Sequence, residues 1–266
     1  MRFAQTVLSC SILFALVGHA FAADPADEVL KESGVKGGLV VHLGCGEGKL
    51  TAALRTKDCY LVHGLDDDPE NVEEARKSLH ALGVYGDVSV DQFCGKQLPY
   101  FDNLVNLVVV DTRCEMRDAG SEVLRILAPR GVAVVREKGN EAWLSRIPHP
   151  VSRIGDGFAM FAKPVPADID EWTHYMHDAS GNAVAADLEV GPPKHVRWVA
   201  DPLWSRSHEF NPSINSLVMA DGRMFYILDE GMIGLPDLRF PGRWSLVARD
   251  AFSGKFLWKR PVPNWG

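Results

Sequence analysis

The chain has 266 residues, of which 46% are hydrophobic and 24% are charged, and its formal net charge at pH 7 is −7. This composition is typical of a globular protein, and the length allows one large domain or two smaller ones. The acidic balance disfavours general nucleic-acid binding through a basic surface, and the sequence has no basic cluster interleaved with aromatic residues.

Residues 1–22 have the pattern of a secretory signal peptide. Arg2 supplies a minimal positive region, and residues 7–17 form an apolar stretch that is too short to span a bilayer. Ala20-Phe21-Ala22 then has the form of a cleavage site. The pattern predicts a secreted or periplasmic mature protein with no integral membrane segment after cleavage.

A strand, a glycine turn and a helix follow. Residues 39–43 form a short apolar run typical of a buried parallel strand, and Gly44, Gly46 and Gly48 come next at alternate positions. The segment 49–55 is predicted to be a helix. Glycine lets the backbone turn tightly and approach a ligand closely. The G-x-G-x-G spacing differs from the G-x-G-x-x-G of dinucleotide sites, which disfavours a nicotinamide or flavin cofactor.

Acidic residues end the strands predicted after this turn. Asp66 follows the predicted strand 60–65, where an α/β nucleotide site accepts hydrogen bonds from ribose hydroxyls. The alternative is that Asp66, with the two aspartates after it, only caps the next helix. Asp91 follows a short third strand, and Asp111 ends an apolar run broken only by Asn106.

The order of these landmarks resembles that of class I S-adenosylmethionine (SAM) dependent methyltransferases. Residues 39–55 resemble the family's motif I, hydrophobic-Asp-hydrophobic-Gly-x-Gly-x-Gly, and E-V-L-R-I-L-A-P-R-G-V-A-V-V at 122–135 resembles its helix–Pro–Gly–strand signature. The resemblance covers about residues 30–165. It implies a Rossmann-like, doubly wound α/β domain over residues 24–165, with five parallel strands and one or two edge strands.

The resemblance also implies SAM as a cofactor. The cofactor-binding residues that it indicates are Gly44, Cys45, Gly46, Gly48, Asp66 and Asp91. In the family, the residue matching Asp66 binds ribose and the residue matching Asp91 often holds the adenine amino group. The family's catalytic motifs are missing from the sequence, so Asp111, at the mouth of the predicted site, is the candidate catalytic residue and the methyl acceptor stays unknown.

Two features favour a non-catalytic scaffold as the alternative to an enzyme. His42 stands where motif I usually has an acidic residue that helps to hold the methionine amino group. SAM is made in the cytoplasm, whereas the signal peptide predicts export. Both features fit a degenerate methyltransferase fold in a periplasmic or surface protein.

From residue 166 the pattern changes to short β-like runs. Turn signals predict hairpins that join 216–220 to 223–228 and 244–249 to 255–260, and 194–200 is a further β-like run. The last hairpin, L-V-A-R-D-A-F-S-G-K-F-L-W-K, resembles the A-x-D-x-x-T-G-x-x-x-W repeat of quinoprotein-type, PQQ-like β-propellers.

This second resemblance implies that Asp250 and Ser253 organise the turn and that Trp258 packs between neighbouring blades. Residues 166–266 then hold about one blade, so we expect the propeller to continue beyond Gly266 and one blade alone to be poorly stabilised. Such propellers either bind protein partners or, in oxidoreductases, hold pyrroloquinoline quinone (PQQ) through residues spread over several blades. A fragment of a quinoprotein-type oxidoreductase, with its redox blades beyond Gly266, is therefore a further alternative function, and PQQ cannot be assigned to residues of this chain.

Two further groups of polar residues have a structural and a functional interpretation. His174 and His177 form H-x-x-H beside Asp178, but the spacing matches no strong metal motif, so we assign no metal and expect loop hydrogen bonds. Cys45 and Cys114 follow predicted neighbouring strands. A disulfide between them is one hypothesis, and separate thiols are the other.

Overall fold

The computed structural model describes residues 25–111, 116, 118–154, 157–193, 195–202, 205, 212–231 and 242–263. The predicted signal peptide and Cys114 lie outside these residues. The described residues form two sheets, one with seven strands and one with four. No helix among the described residues is both long enough and apolar enough to cross a bilayer.

The first unit alternates strands and helices. In chain order its elements are α1 (Pro25–Ser33), β1 (Gly38–Leu43), α2 (Lys49–Ala53), β2 (Tyr60–Asp66), α3 (Pro69–Ala81), β3 (Val88–Gln92), β4 (Val105–Val110), α4 (Ala119–Ile126), β5 (Leu127–Arg136), α5 (Glu141–Leu144), β6 (Ser152–Ile154) and β7 (Phe158–Ala162). The second unit contains β8 (Ile214–Ala220), β9 (Arg223–Asp229), β10 (Trp244–Asp250) and β11 (Phe256–Pro261).

The seven-stranded sheet has the order β3-β2-β1-β4-β5-β7-β6. Its first five strands run parallel, whereas β7 is antiparallel to β5 and β6 is antiparallel to β7. The predicted Rossmann-like sheet with added edge strands is therefore confirmed. Strand order reverses between β1 and β4, and ligands of open α/β sheets bind at the carboxyl ends of the strands at such a point.

Helices cover both faces of this sheet. Val41 and Val108 belong to an apolar cluster that includes residues of α4 and α5, and Val40 and Val109 belong to another that includes residues of α1 and α3. Because successive residues of a strand point to opposite faces, strands buried on both faces require unbroken apolar runs. This explains the valine-rich strands that the sequence shows.

The second unit is an antiparallel meander in the order β11-β10-β9-β8. Asp250 organises the turn after β10, since its Oδ1 accepts hydrogen bonds from the backbone N–H groups of Phe252 and Ser253 and from the Ser253 hydroxyl. The predicted β-like run at 194–200 is wrong: residues 195–200 form no strand, and Val199 there is 82% exposed. Residue types that suit a β-strand were not sufficient to form one here, because no described strand pairs with this segment.

The two sheets meet at the amino ends of β1, β4 and β5. Asn106 Oδ1 accepts the backbone N–H of Leu39 at 2.9 Å, and Asn106 Nδ2 donates to Asp250 Oδ2 at 2.7 Å. Nearby, Arg130 pairs with Asp221 at 2.9 Å. The meander thus packs on the edge of the large sheet opposite to the glycine turn, and Asn106, the polar residue of an apolar strand, makes the connection.

Candidate functional site

The glycine turn lies at the carboxyl end of β1. Gly44, Gly46 and Gly48 have φ values of 74°, 50° and 77°, which residues with a side chain rarely adopt. The N–H of Gly44 donates to the carbonyl of Leu65 at 2.8 Å, which ties the turn to β2. A Cβ at Gly48 would lie 3.0 Å from the Cβ of Ala75, whereas a Cβ at Gly46 would meet nothing within 4 Å. Packing therefore requires glycine at position 48, and the backbone at position 46 is open to a ligand.

Asp66 lies directly beside this turn and is 7% exposed. Its Oδ2 accepts the N–H of Gly46 at 2.8 Å, and its Oδ1 accepts the N–H of Asp68 and the side-chain amide of Asn71, both at 3.1 Å. The helix-capping role belongs to Asp68, which accepts the N–H of Glu70 at 2.9 Å. A carboxylate oxygen can accept two hydrogen bonds, so Oδ2 keeps one acceptor position. Ribose binding by Asp66 stays a prediction.

Asp91 belongs to a chain of hydrogen bonds along the edge strand β3. Arg76 donates to Asp91 Oδ1 at 2.5 Å and to the carbonyl of Val90 at 2.8 Å. His63 Nε2–H donates to Asp91 Oδ2 at 3.1 Å, and the Tyr100 hydroxyl donates to His63 Nδ1 at 2.7 Å. Burial, and next the charge of Asp91, raise the pKa of Tyr100. Adenine binding by Asp91 stays a prediction. It requires the Asp91 carboxylate to accept a hydrogen bond from adenine in addition to, or in place of, those from Arg76 and His63.

His42 lies buried next to the turn, with 1% of its surface exposed. Its Nδ1 is 2.8 Å from the hydroxyl of Thr51, and its Nε2 has no hydrogen-bond partner among the described residues. Burial lowers the pKa of His42 to about 4, against the opposing effect of the Asp111 and Asp66 charges. The imidazole is therefore neutral at pH 7, and sequence reasoning did not identify Thr51 as its partner.

Asp111 is held at the end of β4 by Arg136, at the end of β5. Arg136 Nε donates to the Asp111 carbonyl at 2.6 Å and to Asp111 Oδ1 at 2.9 Å, and Nη2 also binds Oδ1. The guanidinium lies over the ring of Phe158, 4.5 Å from its centroid. Asp111 Oδ2 and Arg136 Nη1 make no hydrogen bond to the part of the chain that the structure describes.

A cavity of about 660 Å³ opens beside this pair. It lies between α1, α2, the ends of β4 and β5, and the β6–β7 pair. Its apolar wall consists of Val29, Leu50, Ala53, Ile154 and Phe158. Sequence reasoning missed Arg136 and the cavity, because the lining comes from segments that are far apart in the chain and have no shared motif.

The H-x-x-H segment forms a hydrogen-bonded loop. His177 Nε2 donates to Asp170 Oδ2 at 2.7 Å, and the same oxygen accepts the N–H of Ala186 at 2.7 Å. Asp178 Oδ1 accepts from the backbone and the hydroxyl of Ser180. Across the described ranges, no group of three or more acidic, histidine or cysteine side chains could hold a metal ion.

Three cysteines of the described residues, Cys45, Cys59 and Cys94, are free thiols. Burial raises the pKa of Cys45 to about 12, so its thiol is protonated and unreactive at neutral pH. The proposed disulfide with Cys114 lies outside the described residues. Cys45 therefore belongs to the predicted site because it lies in the glycine turn, and not because its thiol is reactive.

Residues 40–131 match the family model of a methyltransferase domain. No curated protein matches the chain. Similar solved structures include a protein of Methanococcus maripaludis, provisionally described as a SAM-dependent methyltransferase (18% identity, TM-score 0.45, 54% of this chain and 85% of that chain covered). A SAM-dependent methyltransferase from Aquifex aeolicus gives 22% identity, TM-score 0.45 and coverage of 52% and 88%. Residues 40–131 of the first unit are thus similar to a methyltransferase domain.

Proposed function

We propose that the first domain binds SAM at the glycine turn and methylates an acceptor held in the neighbouring cavity. One observation carries this proposal. Gly46, whose backbone is open to a ligand, lies 2.8 Å from the Asp66 carboxylate at the point where the strand order reverses. The match of residues 40–131 to a methyltransferase domain supports the same interpretation.

The charges around the turn fit a cationic cofactor. The Asp66 carboxylate lies beside the turn and forms no ion pair with the described residues, whereas the Asp111 charge is offset by Arg136. His42 is neutral at pH 7 because burial lowers its pKa to about 4, and it therefore adds no positive charge. The SAM sulfonium is positively charged, and a site of negative potential attracts it.

The described residues have distinct roles in this proposal. Gly46 and Asp66 bind the cofactor, whereas Asp111 lies at the neighbouring cavity, and its Oδ2 accepts no hydrogen bond from the described residues. When bound, SAM supplies a methyl group, which a nucleophile takes while the carbon–sulfur electron pair stays on sulfur. Asp111 Oδ2 accepts the proton that the nucleophile loses, and Arg136 holds Asp111 in position.

We further propose that the chain is exported and that its second sheet is one blade of a PQQ-like propeller. The signal-peptide pattern supports export, and the meander order with the Asp250-centred turn supports the blade. Protein partners would bind through the propeller.

A non-catalytic scaffold is the second candidate function. It is favoured by the carboxylates of Asp66 and Asp91, whose oxygens already accept hydrogen bonds from the chain itself. In that case, the glycine turn would be closed by the protein's own groups, and SAM would not bind.

Calorimetric titration of the full chain with S-adenosylhomocysteine separates the two functions. We expect a dissociation constant of about 1–100 μM and a loss of about tenfold or more in Asp66→Asn, because asparagine offers one acceptor oxygen instead of two. Asp67→Asn removes the same charge from the adjacent exposed residue and is expected to change the affinity less than about twofold.

The melting temperature of each variant is measured first, and titrations are made where all are folded. Absence of heat and of thermal stabilisation in the folded wild-type chain would contradict SAM binding. Equal losses in both variants would instead indicate a general charge effect and contradict the specific role of Asp66.

A further inference from the structure

The cavity next to the glycine turn has a composition that indicates what it binds. We propose that the methyl acceptor is a small uncharged phenol, with its apolar ring inside the cavity and its hydroxyl on Asp111 and Arg136. This inference rests on the proposed methyl transfer and adds the substrate class to it.

The size of the cavity favours a small molecule. Its volume of about 660 Å³ lies within the range of roughly 300–1,000 Å³ that is usual for small-molecule sites. The walls come from two helices and two strand pairs, so the space is recessed between elements. A single aromatic ring with short substituents fits such a space, whereas a protein surface needs a broad contact area.

The wall of the cavity is mainly apolar. Val29 and Leu50 face it from α1 and α2, and Ile154 and Phe158 face it from β6 and β7. Apolar side chains gain free energy when they cover an apolar ligand, because both surfaces leave water. The body of the ligand is therefore expected to be apolar.

The polar end of the cavity is a neutral ion pair, and two of its groups make no hydrogen bond to the described residues. Arg136 donates to Asp111 through Nε and Nη2, and its stacking on Phe158 restricts the guanidinium further. Nη1 then remains as a donor and Asp111 Oδ2 as an acceptor. A hydroxyl matches this pair, because it accepts one hydrogen bond and donates another.

Charged ligands match the pair less well. A carboxylate would be repelled by Asp111, and an ammonium group would be repelled by Arg136. The other charged residues of the lining are Glu28 and Lys49, which carry opposite charges, and Lys49 pairs with Glu47 at 2.5 Å. Positive and negative charges are therefore equal in number among the described lining residues, and they do not favour an ionic ligand.

A phenol suits Asp111 better than an aliphatic alcohol does. A phenolic hydroxyl has a pKa of about 10, so a carboxylate can assist its ionisation as the oxygen forms the new bond to carbon. An aliphatic hydroxyl is several pKa units less acidic. The pairing of an apolar cavity with one carboxylate acceptor thus selects a phenolic nucleophile.

Titration of the full chain with 4-ethylphenol and 4-ethylanisole tests this assignment. The two probes have the same ring, but in the anisole a methyl group replaces the hydroxyl hydrogen. We expect 4-ethylphenol to bind about tenfold or more tightly than the anisole, and Arg136→Gln to remove most of that difference. Lys138→Gln removes a similar charge from an exposed neighbour and should leave both affinities within about twofold.

Ala53→Phe supplies a second test, because the larger side chain occupies the cavity. It is expected to abolish binding of 4-ethylphenol while the S-adenosylhomocysteine affinity stays within about twofold. If S-adenosylhomocysteine binds but the two probes bind alike, or Ala53→Phe still binds 4-ethylphenol, the phenol assignment is wrong and the proposed function stands. If S-adenosylhomocysteine does not bind, both are overturned. Should Ala53→Phe fail to fold, Arg136→Gln decides.

Discussion

Acidification from pH 7 to pH 4 is expected to lower the free energy of unfolding by up to about 3 kcal/mol through His42 alone. Burial lowers the pKa of His42 from 6.5 to about 4 in the folded chain. In the unfolded chain the imidazole takes up its proton near the ordinary pKa. Between these pH values the unfolded state binds more protons than the folded state, so stability falls as the pH falls.

The measurement is urea unfolding at several pH values between 7 and 4.5, followed by tryptophan fluorescence. Other groups also titrate in this range, so the His42 contribution is the difference between the wild-type chain and His42→Gln. That difference should change by about 2–3 kcal/mol over the interval. His80→Gln, at an exposed position of α3, serves as the control and should follow the wild-type pH dependence. Parallel curves for wild type and His42→Gln would contradict a neutral buried His42.

Asp250→Ala is expected to lower the free energy of unfolding by about 3 kcal/mol. The Asp250 side chain is buried, and it accepts hydrogen bonds from three donors in its own turn and from Asn106 of the other sheet. Its removal leaves these donors without their acceptor. The turn loses its organisation, and the two sheets lose a direct connection.

A double-mutant cycle with Asn106→Leu isolates the contact between the sheets. We expect a coupling energy of about 1–2 kcal/mol, because the hydrogen bond joins an amide to a partly desolvated carboxylate. Asp221→Asn, which breaks the more exposed pair with Arg130, is the control and should cost less than about 1 kcal/mol. Denaturant unfolding provides all four values. A coupling energy near zero would show that Asn106 and Asp250 do not hold the sheets together.

The central strands of the first domain could be predicted from the sequence because their pattern reflects their surroundings. Residues 39–43 and 60–65 read as strands, and the structure has β1 at Gly38–Leu43 and β2 at Tyr60–Asp66. The strand at the end of the 122–135 signature begins earlier than the Pro–Gly turn indicates, at Leu127, because Leu127 also pairs with Val105 of β4. Pairing between residues that are distant in the chain leaves no pattern in the local sequence that would predict it.

The short elements were not predictable. β6, Ser152–Ile154, has three residues and an exposed pattern, so neither length nor alternation indicates a strand. It forms because β7 offers a free edge. The wrong prediction at 194–200 is the converse case, in which residue types that suit a strand have no edge to pair with.

The candidate site also has a part that the sequence predicted and a part that it did not. The glycine spacing indicated the turn, and the end of a strand indicated Asp66, because both signals are local. Arg136 and Phe158 gain their roles only when β7 pairs with β5 and brings Phe158 opposite Arg136. The bond between Asn106 and Asp250 joins residues 144 positions apart, and only the folded chain shows it.

Hydrogen–deuterium exchange of the full chain with and without saturating S-adenosylhomocysteine locates the cofactor site directly. Slower exchange is expected in peptides that cover residues 44–51 and 66–71, where the glycine turn and Asp66 lie. Peptides that cover 221–224 and 250–254, at the opposite edge of the large sheet, should be unchanged. Unchanged exchange at the glycine turn, or protection confined to the opposite edge, would contradict a SAM site at the carboxyl ends of β1 and β2.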